Sequence, residues 1–333
     1  MRLSIKQWIQ VALSLLVAVW IFWFLYKDIK MQSLLEAIQQ ANFFWILFSV
    51  VVSIYGYWLR AWRWKLLLEA EDSHRVTTQR TFLATMLGYL ANLLVPRAGE
   101  IARCGVLKKT DDIPMGNSIG TVILERSIDL LFMVGVIFLG FLLEREVFLN
   151  LISTLISPAA LWQLVLQWIP LAIGTVIMVG ILVYWLFHKY RDHGFIKKIR
   201  HFIRDFVTGL KSVRQLKNQS GFWISSVVIW IIYFLMMYAV ALAIPSTANL
   251  SPSSVLMVMV MGSIGMVAPV QGGIGTFHAL VAFILIGYGI AEDQSKIFAA
   301  IVHGSQVLTV LIMGGVSLVI FSKISSTKQL NNT

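Results

Sequence analysis

The chain has few charged residues and a single cysteine, and both features limit the classes of protein to which it can belong. Only 13% of its residues are charged, 58% are hydrophobic and the mean hydropathy is +0.79, whereas soluble domains carry about 25% charged residues. The single cysteine, Cys104, excludes an intrachain disulfide and a cysteine-based metal cluster. This composition is typical of a polytopic membrane protein.

The sequence also lacks the motifs of the common soluble chemistries. The glycine-rich run near residue 272 has no Walker lysine and no strand–loop–helix context, and we find no zinc-protease helix motif, serine triad or dinucleotide fingerprint. We therefore expect no cofactor, no bound metal and no direct use of ATP. The net charge of +11 is attributed to membrane topology rather than to nucleic-acid binding, because the basic residues lie mainly in predicted loops.

Long apolar runs predict an all-α polytopic membrane protein. A spanning helix needs about 20 apolar residues, and the runs that reach this length are 7–26, 42–61, 117–143, 160–187, 222–244 and 297–321. The first run has no signal-peptide cleavage site, so it predicts an uncleaved helix. Two further apolar segments, 78–107 and 254–290, are interrupted at Pro96–Gly99 and at Pro269–Gly275, where proline and glycine weaken a helix.

Charges in the predicted loops orient the segments. The segments 103–109 and 188–221 are basic, and so is 60–80, which carries Arg60, Arg63, Lys65, Arg75 and Arg80. Because basic loops remain mainly in the cytoplasm, both ends of 78–107 are assigned to the inside. The uncharged loop 245–253 and the acidic turn near residue 292 are assigned to the outside. The result is six full spans, two re-entrant helical hairpins from opposite sides, and cytoplasmic N- and C-termini.

This order of elements predicts an inverted-topology repeat within a single transmembrane domain. Each half reads span, hairpin, span, and broken helices at corresponding positions indicate a substrate site near the midplane. A basic amphipathic helix is predicted over 195–213, either on the anionic cytoplasmic leaflet or as a linker helix packed on the protein.

Six charged residues lie where the chain is expected to be inside the membrane. Each costs roughly 2.5–3.5 kcal/mol at bilayer depth unless it is paired or lines a polar cavity. They either satisfy one another or bind a ligand, and guanidinium groups suit phosphate. With a neighbouring asparagine they are candidate headgroup-binding residues: Asn92, Arg97, Glu100, Arg103, Glu125, Arg126 and Asp129.

The second break offers backbone groups instead of charge. Gln271, Gly272 and Gly273 are further candidates for headgroup contact, because glycine allows close backbone approach and exposes amides. His278 follows within one helical turn, and both it and His303 are more simply interpreted as packed, hydrogen-bonded residues than as functional ones.

These motifs resemble the lysylphosphatidylglycerol synthase transmembrane domains, a family of flippase-like membrane proteins. The matching stretches are Asn92 to Arg103 with Pro96-Arg97-Ala-Gly99-Glu100 inside it, Glu125-Arg126 with Asp129-Leu130, and Pro269-Val-Gln271-Gly272-Gly273-Ile-Gly275. Family members carry Pro-Gly-Gly-x-Gly at the last motif and a glutamate soon after. Here Gln271 and His278 replace a proline and that glutamate, so a role for that carboxylate is not carried over.

The resemblance implies movement of a lipid or lipid-linked headgroup between leaflets. We expect a flippase or scramblase-like translocator of an anionic phospholipid in the inner (cytoplasmic) membrane, without the soluble aminoacyl-transferase domain. One alternative is a non-catalytic membrane partner of enzymes that make lipids or cell-envelope glycans. The other is a membrane-embedded lipid-modifying enzyme with Glu125 and Asp129 as acid and base, although no nucleophile or metal cluster accompanies them.

Overall fold

The computed structural model consists of helices joined by short turns in the longer ranges that it describes. These are residues 31–70, 75–147, 216–268 and 270–330, with isolated positions elsewhere. The chain divides into two compact units, one of Met1–Glu144 with Gln215–Thr333 and the other of Arg145–Arg214, and the elements below belong to the first. The predicted spans 7–26 and 160–187 lie almost wholly outside the described residues, and the predicted helix 195–213 lies wholly outside them.

The first unit contains long helices and, between them, two pairs of shorter ones. A 3-10 turn, Gln271–Gly273, precedes α8, and the helices are α1 (Met31–Gln40), α2 (Phe43–Leu68), α3 (Thr78–Leu94), α4 (Gly99–Asp111), α5 (Met115–Leu143), α6 (Gln219–Ala243), α7 (Pro252–Val267), α8 (Thr276–Gly287) and α9 (Glu292–Leu330). Four of these, α2, α5, α6 and α9, are long and apolar enough to cross a membrane. They coincide with the predicted spans 42–61, 117–143, 222–244 and 297–321.

Helix α2 extends beyond its predicted span, and this changes the meaning of two arginines. The apolar run was expected to end at residue 61, but the helix continues to Leu68. Arg60 and Arg63 are therefore helical, and they are only 8% and 0% exposed. Their assignment to a loop was wrong, because arginines at the end of an apolar run resemble a flanking loop even when they face the protein interior. The cytoplasmic side of this segment remains a prediction.

The first interrupted segment folds back on itself as a helical hairpin, which we call the first hairpin (α3 and α4). Arg80 near the start of α3 pairs with Asp111 at the end of α4, with 3.8 Å between Nε and Oδ1, so the helices are antiparallel. Gly88 and Gly99 allow their backbones to touch, since a β carbon at Gly99 would overlap the carbonyl oxygen of Gly88. Any larger residue at this crossing would force the hairpin apart.

The second interrupted segment forms the second hairpin (α7 and α8). A β carbon at Gly265 would lie 2.8 Å from the Cα of Phe277, and one at Gly262 would contact both Phe277 and Val281. The residue earlier in α7, Gly262, thus contacts the residue later in α8, Val281. This order makes the two helices antiparallel. The breaks near Pro96–Gly99 and before Thr276 are thus true turns between packed helices.

The turns of the two hairpins lie against each other. The Nη2 of Arg97 donates a hydrogen bond of 3.3 Å to the carbonyl oxygen of Val267, at the end of α7. A β carbon at Gly272 would lie 3.0 Å from the Cδ2 of Leu93. Contact between the turns is what hairpins entering from opposite sides require, while the depth of each hairpin and its side of entry remain predictions.

Candidate functional site

A cluster of arginines and carboxylates joins α2, α4 and α5. On α5 a four-residue spacing places Glu125 and Asp129 on one face, and this face lies opposite Arg60 and Arg63 of α2. Helix α4 adds one arginine and one glutamate, and α5 adds another arginine. Four arginines therefore face three carboxylates: Arg60, Arg63, Arg103 and Arg126 against Glu100, Glu125 and Asp129.

Glu125 is the centre of this cluster and is fully buried. Its Oε1 lies 3.1 Å from Nη2 of Arg60 and 3.5 Å from Nη2 of Arg63. Its Oε2 lies 2.9 Å from Nη2 of Arg103. A buried carboxylate held by three guanidinium groups is well compensated, and loss of one partner from such a group typically costs about 3–5 kcal/mol.

Asp129 completes the inner part of the cluster. Its Oδ1 lies 2.6 Å from Nη2 of Arg63, and its Oδ2 lies 3.0 Å from Nη2 of Arg60. Arg60 and Arg63 thus each bridge both carboxylates of α5. This shared pairing fixes α2 against α5.

Side chains of α6 and the ring of Trp64 also contact the arginines of the cluster. Arg63 donates to the hydroxyl of Ser226 over 3.2 Å, and Arg60 donates to the hydroxyl of Tyr233. The guanidinium of Arg103 lies 4.4 Å from the ring centroid of Trp64, a cation–π contact. A helix from the second half of the chain therefore helps to hold the charges of the first half.

Beside the cluster is a small cleft, lined by Thr85, Gly88, Tyr89, Asn92, Gly99, Glu100, Arg103 and Arg126. Asn92 shapes its wall, because its Oδ1 accepts a 2.7 Å hydrogen bond from the backbone amide of Gly99. That amide is therefore already bonded, but Gly99 and Glu100 both line the cleft, so the N-terminus of α4 lies at the cleft. First-turn amides have no partners within their helix and favour an anion.

The cleft wall contains buried polar atoms without partners among the residues that the structure describes. These are the Nε atoms of Arg103 and Arg126 and the Oε2 of Glu100. Buried donors and acceptors are normally satisfied, and leaving one unmet costs about 1–3 kcal/mol. The arrangement favours a ligand that accepts hydrogen bonds from guanidinium groups.

The other predicted site residues lie at the turns, outside the cleft lining. Arg97 is bonded to α7 and has a backbone φ of +60°. Gly272 offers its carbonyl oxygen to Nε2 of His303 at 2.8 Å, so this histidine nitrogen must carry the proton. Gly272 and Gly273 have φ values of +57° and +76°, and Gln271 beside them is buried. We assign Gln271, Gly272 and Gly273 to the structure of the turn of the second hairpin, which we call the second turn.

His278 also serves the second turn. Its Nδ1 accepts a 3.2 Å hydrogen bond from the amide of Gly275 at the start of α8. The two histidine rings lie edge to face with centroids 4.8 Å apart. These contacts agree with the simpler interpretation of both histidines as packed, hydrogen-bonded residues.

Sequence reasoning missed Arg60, Arg63 and the supporting hydroxyl of Tyr233. A usable signal was present for the arginines, since their three-residue spacing places both on one helical face. That face complements the paired carboxylates Glu125 and Asp129. Nothing in the sequence marks Tyr233, because its role depends on how α6 packs against α2.

A family model described as the lysylphosphatidylglycerol synthase TM region matches residues 11–314 of the chain. The chain belongs to this family. The lysylphosphatidylglycerol synthase TM match and the long apolar helices make it a multi-pass membrane protein of lipid metabolism, and the resemblance seen in the motifs is confirmed. No curated protein and no solved structure matches the chain.

Proposed function

We propose that this lysylphosphatidylglycerol synthase TM protein moves an anionic phospholipid, or a lipid-linked headgroup, from one membrane leaflet to the other. The observation that carries the proposal is the cleft between the first hairpin and α5. It combines two arginines that have unused donors, Arg103 and Arg126, with the N-terminus of α4. Guanidinium groups and helix N-termini both bind phosphate.

The surroundings of the cleft suit a ligand that is polar at one end and apolar at the other. Helix α5 turns Glu125 inward while its other faces expose large apolar side chains, among them Leu130, Leu131, Val134 and Phe138. We propose that a headgroup enters the cleft while its acyl chains stay in the surrounding lipid. Such a division avoids bringing the apolar chains through the charged cluster.

The contact between the hairpin turns supplies a place where a path could open and close. Arg97 joins the first turn to the end of α7 by a single hydrogen bond. Separation of the turns would break this bond and move Gly272 away from Leu93. We propose that the second hairpin stays fixed. The first hairpin, which carries the charges, moves relative to it.

We also propose the membrane and the partners of this translocator. It lies in the inner (cytoplasmic) membrane with both termini in the cytoplasm, as the basic segments indicate. Its partners are membrane lipids with anionic headgroups and not nucleic acid. It carries out no covalent chemistry, although it could work beside an enzyme of lipid synthesis.

Leaflet exchange in reconstituted vesicles tests this function. Fluorescent phosphatidylglycerol and phosphatidylcholine with identical chains are compared for the wild type, Arg97→Ala, Arg126→Ala and the control Lys65→Ala. Lys65 pairs with Glu69 outside the cleft, so its loss removes the same charge without touching the site. We expect exchange of phosphatidylglycerol that falls at least about tenfold in Arg126→Ala and persists in Lys65→Ala.

Two other results would contradict the proposal. Absence of exchange for every headgroup, in protein that remains folded, would favour the partner of lipid- or glycan-synthesis enzymes. A covalently altered lipid, detected by mass spectrometry after incubation, would favour the embedded enzyme.

A further inference from the structure

The carboxylates of the charged cluster are of two kinds. Glu125 is fully buried, and both of its oxygens contact arginines, three in all. Glu100 is 30% exposed at its side chain, and its Oε1 contacts one arginine, Arg126, at 3.2 Å. Glu125 is thus fixed in place, whereas within the described part of the chain Glu100 has one ion-pair partner at the wall of the cleft.

The position of Glu100 is one that a phosphate could take. Glu100 lies in the first turn of α4, where the helix N-terminus favours any anion. Its Oε2 is buried without a partner among the described residues, so the carboxylate does not satisfy the site completely. A phosphate group has more acceptor oxygens than a carboxylate and could bind both Arg126 and the unused Nε of Arg103.

Arg126 can lose Glu100 without becoming an unpaired charge. Its side chain is 41% exposed, and its Nη1 lies 3.7 Å from Oδ2 of Asp129 on the same helix. Asp129 would remain as a partner after Glu100 moved away. The exposed Glu100 side chain would reach water in the cleft, and the phosphate would take its place beside Arg126.

We infer that Glu100 is an exchangeable counter-anion, which occupies Arg126 and the start of α4 in the empty cleft and is displaced by the phosphate of the ligand. This inference rests on the proposed function and names the protein group that the headgroup must replace. The shared chemistry is a phosphate anion, whether it belongs to a lipid headgroup or to free phosphate. Return of Glu100 would then help to expel the headgroup after movement.

This competition predicts opposite effects on binding and on transport. In Glu100→Gln the neutral amide competes poorly for Arg126, so the phosphate binds more tightly. The same change removes the anion that drives release, so leaflet exchange at saturating lipid becomes slower. A variant that was merely misfolded would bind more weakly and transport more slowly, so the opposite directions identify displacement.

The test measures affinity for three probes in detergent by changes in tryptophan fluorescence. The probes are dihexanoylphosphatidylglycerol, inorganic phosphate and dihexanoylphosphatidylcholine. The control is Glu69→Gln, because Glu69 has a similar exposure of 28% and a similar single pair with Lys65 at 3.3 Å. We expect Glu100→Gln to lower the dissociation constant for phosphatidylglycerol at least about fivefold, and Glu69→Gln to leave it unchanged.

A double-mutant cycle separates displacement from a general change in charge. If Glu100 competes for Arg126, then Glu100→Gln gives no gain in affinity when Arg126→Gln is also present. An equal gain in both backgrounds would overturn the inference, because the effect would then come from the overall potential. Slower exchange by Glu100→Gln in vesicles, with tighter binding, would support it.

The outcomes distinguish this inference from the function on which it rests. Exchange of phosphatidylglycerol by the wild type, with no tighter binding by Glu100→Gln, overturns the inference and leaves the function standing. Tighter binding of inorganic phosphate but not of phosphatidylglycerol supports displacement and assigns the site to a free anion. Failure of the wild type to bind or exchange any probe overturns both.

Discussion

The two hairpins have the same plan and opposite chemistry. Each consists of two packed antiparallel helices joined by a turn, and each has glycines where its helices cross. The first hairpin carries Glu100 and Arg103 beside its turn, whereas residues 254–290 of the second contain no Asp, Glu, Lys or Arg. The second turn instead binds its own backbone through His278 and His303.

This difference shows how each kind of polar group is stabilised inside an apolar protein. Side-chain charges need partners from other helices, so the first hairpin depends on α5 and α2, and α6 in turn supports the arginines of α2. Backbone groups need only one hydrogen bond each, so two histidines satisfy much of the second turn. The charged side chains of the first hairpin can therefore exchange one partner for another. The second hairpin has a backbone that is already hydrogen-bonded and serves as a fixed support.

Replacement of Glu125 should have the largest effect on stability, because it removes the central carboxylate of the charged cluster. Glu125→Gln leaves three guanidinium groups, Arg60, Arg63 and Arg103, short of one negative charge in a buried site. We expect a loss of about 3–5 kcal/mol in the free energy of unfolding, seen as aggregation or a strongly lowered melting temperature in detergent. Partial recovery in Glu125→Gln with Arg63→Met would show that the unpaired charge is the cause. A melting temperature equal to that of Glu69→Gln would contradict the central role of Glu125.

Substitution at the helix crossings tests whether both hairpins depend on close contact. Gly99→Ala and Gly265→Ala each place a methyl group against backbone atoms, so both should destabilise by about 1–3 kcal/mol. The matched control is Gly105→Ala in α4, where an added β carbon meets nothing within 4 Å and should stabilise by about 0.5–1 kcal/mol. Equal melting temperatures for Gly99→Ala and Gly105→Ala would disprove the tight crossing of α3 and α4.

Replacement of His303 should lower the stability of the protein without changing its affinity for lipid. His303→Ala leaves the Gly272 carbonyl without its donor, which should cost about 1–3 kcal/mol. Affinity for phosphatidylglycerol should stay the same, because neither His303 nor Gly272 lines the cleft. Melting curves and tryptophan-fluorescence titrations of the same preparation check both statements. A large loss of affinity in folded His303→Ala would place the second turn in the binding site.

Substitution of Arg97 should have the smallest effect on stability. Its φ of +60° costs a side-chain-bearing residue roughly 1–2 kcal/mol, so Arg97→Gly should be about that much more stable than Arg97→Ala. Both variants lose the guanidinium that joins the two turns, so the closed arrangement is weakened equally in both and lipid exchange should change by the same factor. Unequal exchange rates for the two, measured at equal amounts of folded protein, would show that backbone strain rather than the guanidinium matters.

Much of the fold was predictable, and the charge pairing was predictable only in part. Apolar length located α2, α5, α6 and α9, and the proline and glycine signals located both breaks. Glu125 and Asp129 could be recognised as inward-facing because they interrupt a long apolar run. Arg60 and Arg63 share one helical face, but this signal is weaker because they end such a run and match a topology signal equally well. Which carboxylate each arginine binds depends on helix packing, which no local pattern contains.

The comparison between the hairpins is tested most directly by phosphatidylglycerol exchange in vesicles for Arg126→Gln and His303→Gln. Both variants are compared at equal amounts of folded protein. Our account predicts that Arg126→Gln lowers the exchange rate at least about tenfold, since a hydrogen bond to a charged group contributes about 1.5–3 kcal/mol. It predicts that His303→Gln, which keeps a side-chain donor, remains within about threefold of the wild type. Equal loss in both, or loss only in His303→Gln, would contradict the assignment of transport chemistry to the first hairpin.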